Sequence, residues 1–145
     1  MKSTLISIFA ALSALALSGC QFVMVADSPG PRSSYFDGDF EYAGHKGAIY
    51  TIVSGNPFGS PSQKFAEFVR TTMKNQARAG RPVSFIGEHN RTTLKPYKVV
   101  AAVNPGNRDG DDLCKSTDYS PSRSDTTKLV MAFCFDDSLK SSSTG

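Results

Sequence analysis

Between residues 48 and 88 the spacing of apolar side chains changes from two to three or four and back again, which limits the folds open to this chain. Ala48 to Ser54 is rich in β-branched and aromatic residues and reads as a strand. Ile49 and Val53 share one face and Tyr50 and Ile52 the other, so both faces are apolar and the strand is expected at the centre of a sheet. It stops in Gly55-Asn56-Pro57-Phe58-Gly59, a run of turn formers.

A helix is expected next. Ser60 can cap it with Gln63 three residues on, and Pro61 suits its first turn. Phe65, Phe68, Val69, Thr72, Met73, Gln76 and Ala77 fall at helical spacing and predict one buried stripe. Lys64, Arg70, Lys74 and Arg78 follow the other side, predicting a solvated basic face, and Gly80 and Pro82 end the helix. Val83 to Glu88 reads as a second strand. With so short a link between them, the helix can run back along the sheet, making strands one and two parallel through a right-handed crossover.

Two more strands are expected, Tyr97 to Asn104 and Thr127 to Phe135, each adding antiparallel. The predicted fold is α+β: a mixed four-stranded sheet with one amphipathic helix on a face, in the order β-α-β-β-β. The second sheet face then needs a cover, for which the aromatic segment 35–42 or the 105–126 loop are the candidates. Around the domain at 47–137, residues 20–46 read as a tether, with a possible hairpin at Asp37-Gly38. Residues 138–145 read as a flexible polar tail.

The first nineteen residues carry a different signal. Lys2 precedes thirteen mostly apolar residues, Leu5 to Leu17, the charged and apolar regions of a secretory signal. As a helix those residues span roughly 20 Å, short of the ~30 Å hydrocarbon core. Leu17-Ser18-Gly19-Cys20 resembles the lipobox of bacterial lipoprotein precursors. The resemblance implies removal of residues 1–19 as a lipoprotein signal peptide, a diacylglyceryl thioether on Cys20 and acylation of its new amino group. Two or more acyl chains anchor stably where one does not. The implied partner is membrane lipid. Gln21, where aspartate would favour inner-membrane retention in the enteric sorting pattern, leans the expectation to the outer membrane.

With Cys20 assigned to lipid, Cys114 and Cys134 remain as an even pair in an oxidising export compartment, and a disulfide between them is expected. Buried free thiols and a metal pair are the competing readings. The mature chain would carry 15 basic and 13 acidic residues, +2, too balanced to demand nucleic acid.

Chemical motifs are sparse. Asn107-Arg108-Asp109-Gly110-Asp111 resembles part of a calcium loop, but the first and last ligand positions fall on Pro105 and Ser116, which excludes an EF-hand. Gly55 to Gly59 sits where anions bind in strand-to-helix loops, yet Pro57 removes a donor and no P-loop lysine follows. His45 and His89 lie in polar connections without a close partner. The expectation is a non-catalytic binding or structural domain of an envelope lipoprotein, needing no cofactor and meeting another envelope protein or a cell-wall polymer. The alternative is a lipid-tethered hydrolase using His45 or His89.

Overall fold

A computed structural model describes residues 35–76, 82–123 and 126–145. The signal region, Cys20 and Gln21 lie outside the described residues. The elements, in order, are α1 (Tyr35–Gly44), β1 (Ala48–Ser54), α2 (Ser62–Gln76), β2 (Ser84–Ile86), β3 (Tyr97–Val103), α3 (Gly110–Lys115), β4 (Leu129–Phe135) and β5 (Ser138–Thr144). The strands form one mixed sheet in the order β2-β1-β3-β4-β5, so the class is α+β, with five strands where four were expected.

The expected parallel pairing of β1 with β2 is present, with Ile49 opposite Phe85. β3 is also parallel to β1, with Val53 opposite Ala101, and the antiparallel pairings are β3–β4 and β4–β5. The expectation that β3 adds antiparallel is therefore corrected. A strand as short as β2, three residues, leaves little length to retrace, and residues 87–96 cover it without a helix.

Period-two alternation sorts the side chains into two cores. On the first face Ile49, Phe85, Tyr97, Val99 and Phe133 pack under α1 and α2 through Ala43, Phe40 and Met73. On the second, Val100, Ala102, Val130, Ala132 and Cys134 pack under Leu113 and Cys114 of α3, with Tyr119 and Leu139 beside them. Of the two candidate covers, the 105–126 segment thus supplies Leu113, Cys114 and Tyr119 to the second face, while the aromatic segment 35–42 supplies Phe40 to the first.

Three boundaries move. Residues 35–44, expected in the tether, form α1 rather than a hairpin. Ala43 is buried, and a Cβ on Gly44 would stand 2.7 Å from Val83 Cγ2, so the C-terminal end of α1 sits directly on the core. Residues 138–145, expected as a free tail, form edge strand β5. The backbone N–H of Leu129 donates to Gly145 O (2.7 Å) and that of Gly145 to Leu129 O (2.9 Å), closing the ladder at the far end. The expected loop at 110–115 is α3, capped by Asp109, whose side chain accepts from the N–H groups of Asp111 and Asp112.

Candidate binding groove

Helix α2 forms one wall of an open concavity. Its buried residue is Ala66, and the half-buried ones, Phe65, Val69, Arg70 and Met73, fall at helical spacing. Phe68 (67% exposed) and Thr72, expected in the buried stripe, face solvent. The stripe is turned so that Arg70, expected on the solvated basic face, points inward instead. Its Nε donates to the backbone carbonyl of Thr51 on β1 (3.4 Å). The helix also starts at Ser62, after Ser60: Asn56 holds the preceding loop by accepting from Phe58 N–H (3.1 Å) and donating to Ser60 O, and Pro61 O takes the first helical N–H, from Phe65 (3.1 Å).

Opposite α2, the chain leaves β2 through Gly87, Glu88, His89 and Asn90. The two walls enclose an open groove of about 650 Å³ lined by Gln63, Glu67 and Arg70 from the helix and by residues 86–90. Gly87 lies beneath the Arg70 guanidinium: a Cβ there would stand 2.6 Å from Nη2 and 2.8 Å from Cζ. No carboxylate among the described residues comes within 4.0 Å of Arg70, although Glu67 and Glu88 line the same groove.

His89 is oriented by its neighbours. Its ring lies 4.0 Å from the Tyr50 ring, centre to centre, and its Nδ1 is 3.3 Å from Thr93 Oγ1. The Thr93 hydroxyl donates its hydrogen to Asn90 O (3.0 Å), so its oxygen accepts from His89 Nδ1–H.

His45 is placed differently. It stacks on Tyr42 (5.2 Å) and its Nδ1 donates to Tyr42 O (2.6 Å), finishing α1 at its C-terminal end. Neither histidine pairs with a carboxylate within 4.0 Å among the described residues, and the two are not brought together in one concavity. Cys114 and Cys134, both fully buried, are joined with Cα atoms 5.7 Å apart, tying α3 to β4 across the second core.

The neighbouring crevice is closed. β2 and β3 flank β1 on opposite sides, so the carboxyl ends of β1 and β3 form a topological switch point, where open sheets of this kind bind ligands. Here the Tyr119 hydroxyl fills it, 2.8 Å from Ser54 O and 3.0 Å from Val103 O, leaving a smaller hollow beside Asn104 and Pro121. Among the described residues no group of three or more His, Cys, Asp or Glu stands close enough to hold a metal ion.

Sequence reasoning missed the Arg70–Gly87 pairing. A signal existed: Arg70 lies four residues after Ala66 and three before Met73, inside a stripe of the correct width rotated by one position. No family model, curated protein or solved structure matches the chain.

Proposed function

We propose that the protein is a cell-envelope lipoprotein anchored by acylated Cys20, whose α+β domain binds a ligand or partner without catalysis. The observation that carries this reading is the Cys114–Cys134 bridge. A buried disulfide suits an oxidising export compartment, and it leaves Cys20, at the end of the lipobox, as the third of the chain's three cysteines. Supporting the non-catalytic role, His45 and His89 lie in separate places, one against Tyr42 O and one against Thr93, and neither has a carboxylate within 4.0 Å among the described residues. The outer membrane is the proposed address, from Gln21.

Detergent-phase partitioning tests this directly. The mature protein is expected in the detergent phase, and Cys20→Ser in the aqueous phase or as an uncleaved precursor. Equal partitioning of the two, with equal mature masses, would contradict the anchor. Fractionation wholly with inner-membrane markers would reverse the address alone.

A further inference from the structure

We propose that the groove between α2 and residues 86–90 binds a zwitterionic amino compound, an amino acid or short peptide whose carboxylate meets Arg70 and whose ammonium meets Glu67 and Glu88. The inference rests on reading the domain as a binding module and names the chemistry of its ligand.

Arg70 is a cation in search of a partner. It is half-buried, its Nε is fixed on Thr51 O at 3.4 Å, and no carboxylate among the described residues lies within 4.0 Å. Glu67 stands three residues earlier on the same helix, where an ion pair would be the ordinary outcome. A partly desolvated guanidinium left unpaired is unfavourable, and its planar fork of donors matches a carboxylate in two-point contact.

Gly87 leaves room for that guanidinium where it stands. Its φ lies outside the left-handed region, so φ alone does not call for glycine there. What a side chain would meet is Arg70, with all three of the nearest atoms, at 2.6–3.0 Å, belonging to the guanidinium group. The space kept at 87 is the space that holds the charged head in the groove.

The remaining lining decides between an anion and a zwitterion. One arginine shares the groove with two carboxylates, Glu67 and Glu88. A phosphate or other simple anion would gain Arg70 and be repelled by the two glutamates. A ligand that carries an ammonium beside its carboxylate uses both signs. At about 650 Å³ the groove has room for an amino acid or a dipeptide.

The test is titration of the full mature protein, ¹⁵N-labelled in detergent micelles, with L-alanyl-L-alanine. Backbone amides of Gly87, Glu88, His89 and Asn90 are expected to shift, with Kd on the order of a millimolar for so small a ligand. The N-acetylated dipeptide, the dipeptide amide and inorganic phosphate should each bind about tenfold or more weaker. Arg70→Gln should weaken the dipeptide about ten- to a hundredfold. Gly87→Ala, which displaces the flexible guanidinium rather than backbone, should do the same with the spectrum elsewhere unchanged. Equal shifts from phosphate, unchanged affinity in both variants, or no shift at residues 87–90 would overturn the proposal. Detergent partitioning of the same sample is read separately: a protein in the detergent phase that ignores the dipeptide overturns the ligand and leaves the anchor, and an unlipidated one that binds it does the reverse.

Discussion

A Cβ on Gly55 would stand 2.8 Å from the Tyr119 hydroxyl oxygen and 2.3 Å from Val103 O, so glycine at 55 and tyrosine at 119 fit one closed joint. Gly55 also has φ +79°, which a side chain strains. Residues sixty-four apart in sequence thereby seal the ends of β1 and β3. Gly55→Ala is expected to cost about 1–3 kcal/mol from the backbone alone, more with the clash, read as a fall in urea midpoint at constant slope. An unchanged midpoint would mean the joint is looser than described.

Tyr119→Phe should cost about 1–3 kcal/mol, because it leaves the Ser54 and Val103 carbonyls without their hydroxyl donor. It should also change the alkaline response. Burial pushes the Tyr119 phenol above its ordinary value of 10.0, against the opposing charge of Arg108, and burial with Asp39 and Tyr42 raises Tyr97 likewise. The folded protein therefore holds these protons more tightly than the unfolded chain. That stability is complete below about pH 10 and is lost as pH rises beyond it. Urea midpoints measured from pH 9 to 11 should fall less steeply in Tyr119→Phe than in the parent protein.

The Cys114–Cys134 bridge spans 20 residues in sequence, and in the chain-entropy model a loop of that size is worth about 3 kcal/mol. Reduction, or the Cys114→Ala/Cys134→Ala pair, is expected to raise hydrogen exchange at residues 105–123 before β1 and β3. Uniform loss of protection across the sheet would contradict this order.

Much of the sheet was legible because β1, β3 and β4 alternate apolar side chains that both cores need. Strand β5 was not. Ser138 to Thr144 offers one apolar residue, Leu139, and is recruited by backbone pairing and by α3, whose Gly110 would place a Cβ 2.6 Å from Ser142 Cβ. Helix α1 was hidden by Asp37-Gly38, a turn signal in a helix interior. There tertiary contact overrides propensity: Phe40 meets Phe133 edge-on at 5.3 Å, and Asp39 pairs with Lys140 at 3.5 Å. Arg70 was misplaced because a charge is assigned to solvent by default, and its partner on β1 is a carbonyl with no sequence signature.

Strand β5 can be checked by truncation. Ending the chain at Asp137 should lower the thermal midpoint clearly and expose Val130 and Cys134, since β4 would become an edge and Leu139 would leave the second core. A midpoint within error of the full chain would restore the reading of residues 138–145 as a free tail.

The most direct test of the account is the intact mass of the protein extracted from envelopes without reductant. It should begin at Cys20, exceed the polypeptide by a diacylglyceryl group and an acyl chain, and fall two hydrogens short for the Cys114–Cys134 bridge. A polypeptide that still begins at Met1, or one cleaved elsewhere and carrying no lipid, would contradict it.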